Sequence, residues 1–368
     1  MSAQAPGPGR RRVSAGLPDF PWDLLEPSKR RAAAHPDGIV DLSIGTPVDP
    51  VPAVVRKALA EASDWPGYPL TAGTAELRQE ITAWTARSCA APSGFGVLPT
   101  IGSKELVSWL PTLLGAGPGD TVVIPEVCYP TYEVGAQLAG ATVVRADSPP
   151  DGVRPALIWV NSPGNPHGRV ASADELRAWV AYARATGAVL ASDECYLTLP
   201  WTAQPVSVLS VCDGDFTGLL AVHSLSKRSN LAGYRAGFVA GDPDLVGELL
   251  AVRKHAGMIM PGPVQAAMIA ALADESHVDE QRTRYAARRE LLAAALVGAG
   301  FTIDHSQAGL YLWATRGEDC WQTVDALAER GVLVAPGAIY GPGGAQHVRV
   351  ALTATDERVR AAVARLAA

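Results

Sequence analysis

The chain has 368 residues, 48% hydrophobic and 18% charged, which excludes a disordered or fibrous protein and leaves room for two lobes with a sizeable core. No run of about 18 apolar residues lacks a polar interruption, and the N-terminal MSAQAPGPGRRRV has no apolar segment behind its basic residues, so neither a membrane span nor a secretory leader is expected. Thirty-one Lys+Arg against 37 Asp+Glu give a formal charge of −6, which argues against a nucleic-acid or anionic-membrane partner and for small-molecule chemistry in the cytoplasm.

Residues 1–20 are rich in Pro, Gly and Arg without periodicity and read as a flexible arm. PWDLLEPSKRRAAA then reads as a short amphipathic helix. Residues 104–114 read as helix, TVVIP (121–125) as strand, TYEVGAQLAG as helix and ATVVRA (141–146) as strand. ALIWVNS (156–162) and AVLASDE (188–194) are further apolar strands. Between them Ser172, with Glu175 three residues on, makes a capping box that opens the helix DELRAWVAYARAT. GLLAVHS (218–224) and YRAGFVAG (234–241) continue the series.

Short β-rich runs alternating with helices, apolar on both sheet faces, predict a three-layer α/β fold with a mostly parallel sheet. After residue 256 come a long helix (280–296), the short strands GLYLWAT, GVLVAP and HVRVALT, and a closing helix (356–366). These predict a smaller α+β domain. The expected division is a large domain of 46–255 and a small domain of 21–45 with 256–368.

The cysteines, Cys89, Cys128, Cys195, Cys212 and Cys320, are scattered without a C-x-x-C pair, so reduced thiols are expected and no metal. Only Lys29, Lys57, Lys104, Lys227 and Lys254 are lysines, and a lysine can be deprotonated where an arginine cannot.

Ligands of open α/β sheets sit beyond the carboxyl ends of the strands. There the sequence is polar: Asn161 to Gly168 after one strand, Asp193, Glu194 and Tyr196 after the next, and His223, Ser224, Ser226 and Lys227 after a third. Three strand ends converge on one ligand. Gly102-Ser103 at a helix start offers free N–H groups to a phosphate, although an ordinary serine cap reads the same way. Ser224, Ser226 and Arg235 favour the phosphate. The dinucleotide and P-loop glycine patterns are missing, which favours a phosphorylated cofactor over a nucleotide.

Ser224-Leu225-Ser226-Lys227, with Arg235 eight positions on, resembles the lysine signature of the class I/II aminotransferases, fold-type I pyridoxal-phosphate enzymes. The other landmarks fall in order: Tyr68 with Gly73 and Leu77-Arg78, Gly102-Ser103, Tyr129 in Cys-Tyr-Pro-Thr-Tyr, Asn165-Pro166-x-Gly168, Asp193-x-x-Tyr196, and Arg349.

This resemblance implies pyridoxal 5'-phosphate as cofactor and a role for each residue. Lys227 is the amine that bonds the cofactor as an aldimine and then carries the proton, which requires a lowered pKa. Asp193 faces the pyridine nitrogen. Tyr196 and Asn165 reach the phenolate oxygen, and Tyr129 stacks on the ring. Gly102, Ser103, Ser224 and Arg235 bind the phosphate. Lys104 stands with them, and Ser226 assists the phosphate or orients Lys227. Tyr68 reaches the phosphate from a second subunit, so a homodimer with shared sites is implied. Arg349 clamps the substrate carboxylate, and Gly45 lets the backbone pass close to it. The usual Asn-Pro-Thr-Gly is here Asn165-Pro166-His167-Gly168, with His167 expected as a loop side chain.

Longer stretches, PGYPLTAGTAELR, GSKELVSWLP, SLSKRSNLAGYRAGF, VRKHAGMIMPGPVQAAM and YGPGGAQHVRVALTATDERV, resemble the actinobacterial N-succinyldiaminopimelate aminotransferases of lysine and diaminopimelate biosynthesis. The implied reaction is ping-pong between glutamate/2-oxoglutarate and N-succinyl-2-amino-6-oxopimelate, with Lys104 or Arg228 as candidates for the distal carboxylate. An aspartate/alanine-like or acetyl-diaminopimelate aminotransferase, a β-lyase or a decarboxylase would share Lys227, Asp193 and Arg235. A ligand sensor fused to a DNA-binding module is disfavoured, because only about 40 residues precede the core motifs and the charge is negative.

Overall fold

The computed structural model describes residues 13–367, so most of the expected arm, residues 1–12, lies outside the described residues. A seven-stranded sheet runs in the order Gly96–Ile101, Ala236–Gly241, Leu219–Ser224, Val189–Asp193, Leu157–Asn161, Thr121–Ile124, Thr142–Arg145. Only Ala236–Gly241 is antiparallel to its neighbours.

Successive side chains of a strand point to opposite faces, and because the central strands carry consecutive apolar residues, both faces of the sheet are buried there. Ile158, Leu190 and Ala221 enter one core, with Leu176, Trp179 and Val180 of the helix Ala173–Thr186. Leu157, Trp159, Leu220 and Val222 enter the other, with Leu106, Leu110 and Tyr132 of the helices Gly102–Leu113 and Thr131–Ala139. The expected three-layer α/β architecture is what forms. The capping box is present, with Ser172 Oγ accepting from Glu175 N–H and the Glu175 carboxylate accepting from Ser172 N–H.

A second sheet runs Ala335–Pro336, His347–Ala351, Tyr311–Thr315, Thr302–Asp304, all antiparallel, with Trp313 paired to Arg349. The helices Ser276–Gly298 and Asp356–Ala367 pack on it through Tyr285, Leu292, Val359 and Ala362. The helix Gly262–Ala273 instead sends Ala267, Met268 and Ala271 into the core of the first sheet, beyond the 255/256 division expected from sequence.

Residues 40–45 join the two bodies. Val40–Asp41 pairs with Val332–Leu333, Leu42 accepts a hydrogen bond from Ala351 N–H, and Arg288 forks onto Asp49 at 2.6 and 2.7 Å. Gly45 is thereby held over the ends of the large sheet. Among the described residues no helix is long and apolar enough to cross a membrane.

Candidate active site

Register sets the site. Asn161 is level with Asp193, and Asp193 with Val222, in adjacent parallel strands, so the polar residues that follow surround one cavity of about 430 Å³. Of the residues to which the resemblance gives a cofactor or substrate role, all line it except Gly102, Tyr68 and the distal-carboxylate candidate Arg228.

At one end Ser224 caps the short helix Leu225–Arg228. Its Oγ accepts from Ser226 N–H at 3.1 Å and donates to Ser226 Oγ at 2.9 Å. Arg235, in the left-handed region at φ 56°, donates to Ala232 O at 2.9 Å. Gly102 has φ +70°, and a Cβ there would occupy the Arg235 guanidinium. Glycine is therefore required by the space as well as by the backbone. Ser103 and Lys104 complete this end. Burial, then the Arg235 charge, lowers the Lys104 pKa.

In the centre, buried Asp193 accepts from Tyr132 OH at 2.7 Å and from Cys195 N–H at 3.2 Å. Burial raises its pKa. Asn161 donates to Asp193 O at 2.9 Å and accepts from Asn165 N–H at 2.8 Å, which fixes the loop that carries Asn165. Lys227 Nζ donates to Gly45 O. Burial holds the Lys227 ammonium below its ordinary 10.5, with Arg349 and Arg235 adding to the effect and Tyr311 opposing it.

At the other end Arg349 is buried, with one Nη on Asn165 Oδ1 at 3.0 Å and the other on Ser43 O at 2.6 Å. Its guanidinium lies 3.9 Å over the Tyr311 ring and 5.0 Å from that of Tyr340. Its Nε is buried without a partner among the described residues. Tyr196 OH and Tyr311 OH are 3.2 Å apart. Burial acts to raise the Tyr311 phenol, but the Arg349 and Lys227 charges outweigh it and the net shift is downward.

The expectations for Asn165, Gly45 and Arg228 change in detail. Arg349 takes the Oδ1 of Asn165, leaving Nδ2 as the atom free to serve a ligand. A Cβ on Gly45 would collide with the Tyr311 hydroxyl, so the glycine makes room first for a tyrosine. His167 lines a different cavity, of about 450 Å³, with His305 at 5.5 Å, and burial lowers its pKa to about 3. Arg228 is buried on Glu275, with both bonds at 2.8 Å, and does not line the site. Tyr68 is fully exposed and away from its own chain's cavity.

Trp22, Tyr132, Cys195 and Tyr311 also line the cavity and were not anticipated there. Tyr132 had a signal, as the second tyrosine of Cys-Tyr-Pro-Thr-Tyr.

A buried carboxylate with no cation against it, a buried amine, and an arginine with serine hydroxyls at a helix start match the ring nitrogen, aldehyde and phosphate of pyridoxal phosphate. The donor set fits that group.

Residues 37–366 match the family described as Aminotransferase class I and II. The chain belongs to the class I and II aminotransferases. It is 62% identical, over all of this chain and 89% of the other, to a probable aminotransferase of Mycobacterium tuberculosis. It is 59% identical, over 95% of this chain and 99% of the other, to the 4-dedimethylamino-4-oxo-anhydrotetracycline transaminase of Streptomyces rimosus. The solved structure of a probable N-succinyldiaminopimelate aminotransferase from Thermus thermophilus superposes with a TM-score of 0.87 at 30% identity, over 95% of this chain and 99% of that one. As a member of the class, this aminotransferase depends on pyridoxal phosphate.

Proposed function

We propose that the aminotransferase takes its amino group from glutamate and delivers it to a keto-acid acceptor in two half-reactions at this one cavity. One observation carries the reading: Lys227 with its buried amine, Asp193 with its buried carboxylate and Arg349 with its buried guanidinium line the same cavity. Bound pyridoxal phosphate supplies the reactive aldehyde carbon and an electron-withdrawing ring. Lys227 Nζ, poised toward its neutral form, would carry the proton between the bound amino acid's Cα and the carbon that bears the cofactor's aldehyde. Asp193 holds negative charge against the ring nitrogen, and its own bonds to Tyr132 and Cys195 N–H keep it oriented. Arg349 forks onto the substrate carboxylate. Asn165 Nδ2 and Tyr196 serve the phenolate oxygen, and Tyr129 covers the ring face. Ser103, Ser224, Ser226 and Arg235, seated by Gly102, hold the phosphate.

Tyr68, exposed on its own chain, completes a partner's site in a cytoplasmic homodimer. The lobes divide as 46–255 against 21–45 with 256–368, the helix Gly262–Ala273 packing across that division.

For the acceptor, the motif resemblance and the Thermus thermophilus neighbour support N-succinyl-2-amino-6-oxopimelate, with Lys104 as the cation for a distal carboxylate. The 59% identity to a transaminase named for an oxo-anhydrotetracycline supports a second reading, a bulky ring ketone.

The test is the absorption spectrum of the cofactor-loaded protein. L-Glutamate converts the yellow form to the colourless amine form, 2-oxoglutarate reverses it, and Lys227→Ala abolishes the conversion. A yellow wild-type protein that ignores glutamate refutes the donor, and Lys227→Ala turning over at the wild-type rate refutes the lysine's role.

A further inference from the structure

A second chamber, of about 700 Å³, adjoins the site, and Trp22, Lys104, Tyr129 and Arg349 line both. Its outer walls are largely apolar: Phe20 and Leu24 from the N-terminal segment, Val134 from the helix Thr131–Ala139, and Trp321, Ile339 and Tyr340 from the small lobe. Phe20 and Leu24 remain 52% and 44% exposed, apolar surface that gains from being covered by a ligand. The volume is in the range of about 300–1,000 Å³ that encloses a drug-sized ring system.

Charge narrows the choice of occupant. Beyond Arg349 the chamber offers Lys104, whose ammonium lies 5.5 Å over the Phe20 ring. It also presents two carboxylates, Asp19 and Glu133, the latter held by Arg145 at 2.6 Å. A ligand with two further carboxylates would meet one cation and like charge, whereas an aromatic body gains contact with Phe20, Trp321 and Tyr340 and a cation–π approach to Lys104.

We infer that this chamber is the acceptor's side-chain subsite, and that it takes a bulky, mainly apolar, aromatic or fused-ring group in preference to a polyanionic acyl chain. The inference rests on the aminotransferase reading, in which Arg349, common to both spaces, anchors the polar end of the substrate. It selects the second acceptor class over the first.

Two measurements separate the subsite from the reaction. The cofactor-loaded protein is titrated calorimetrically with indole-3-propionate and with glutarate, neither of which can be transaminated. Phe20→Ala and Trp321→Ala should each weaken indole-3-propionate by about tenfold, the scale on which an apolar pocket discriminates, while changing glutarate less than about twofold. Phe20 is more than half exposed, so its variant tests the chamber without burdening folding. Separately, indole-3-pyruvate should show a higher kcat/KM as acceptor than N-succinyl-2-amino-6-oxopimelate. Variants that leave indole-3-propionate unchanged or weaken glutarate as much, or preference for the succinylated acceptor, would each overturn the inference. Failure of the glutamate spectral change with indole-3-propionate binding intact would instead overturn the reaction and leave the subsite standing.

Discussion

Glu194, the residue after Asp193, tests how the interior behind the site is built. It is 1% exposed. Oε1 accepts from Val208 N–H at 2.8 Å, while Oε2 has no hydrogen-bond partner among the described residues and lies 3.6 Å from His223 Nε2. Burial raises its pKa from the ordinary 4.5 to about 7. The folded chain therefore keeps a proton that the unfolded chain releases, so stability falls as pH rises from about 4.5 and levels off above about 7. At about 1.4 kcal/mol per pKa unit, the 2.5-unit displacement amounts to about 3 kcal/mol. Glu194→Gln keeps the acceptor for Val208 N–H and has no charge to bury. The variant is expected to match wild type near pH 4.5 and to exceed it by about 3 kcal/mol above pH 7. His223, held near 3 by burial, titrates in both proteins and cancels. Urea titrations at several pH values, at one protein and one cofactor concentration, give the difference directly. A difference that is flat with pH, or a glutamine variant less stable at high pH, would refute the reasoning.

Arg349→Ala removes the buried fork and leaves Asn165 Oδ1 and Ser43 O without their donor. The expected loss in kcat/KM for glutamate is about 30- to 3,000-fold, the range for one partner of a buried charged pair, measured by steady-state kinetics. Gly102→Ala strains a left-handed backbone and pushes on the Arg235 guanidinium. Equilibrium dialysis should show pyridoxal phosphate binding about 5- to 150-fold weaker, the equivalent of about 1–3 kcal/mol for such a backbone conformation.

Most of the large sheet was legible because its strands are short apolar runs closed by polar residues. The run LIWVN reads as a strand buried on both faces, and Leu157 and Ile158 do enter opposite cores. The cradle was legible for a related reason: parallel register makes consecutive strand ends neighbours, so Asn161, Asp193 and Ser224 could be grouped from sequence alone. Tyr311 was not. In GLYLWAT its tyrosine is one apolar strand position among several, and its place depends on the strand pairing that sets Trp313 opposite Arg349. Trp22 was missed because PWDLLEPSKRRAAA carries a helical pattern, whereas the helix begins only at Glu26 and the preceding turn turns Trp22 toward Arg349, 5.6 Å away. Arg228 adjoins Lys227 in sequence, but adjacent residues of a helical turn face different directions, and its guanidinium goes to Glu275 instead.

What the small lobe contributes also explains why Gly45 and Tyr311 belong together. The side chains proposed to hold the cofactor within one chain follow strands of the large sheet, whereas Arg349, the proposed carboxylate anchor, comes from His347–Ala351 of the other sheet, and the two are joined through Asn165, which Arg349 touches, and through residues 43–45. Ser43 O receives Arg349, Gly45 O receives Lys227, and the Tyr311 hydroxyl fills the place of the missing Cβ between them. One stretch of backbone thus reports the position of the anchor to the amine. A side chain at 45 would displace Tyr311 from beneath Arg349 and from beside Tyr196 at the same time, separating the two groups that a substrate must meet together.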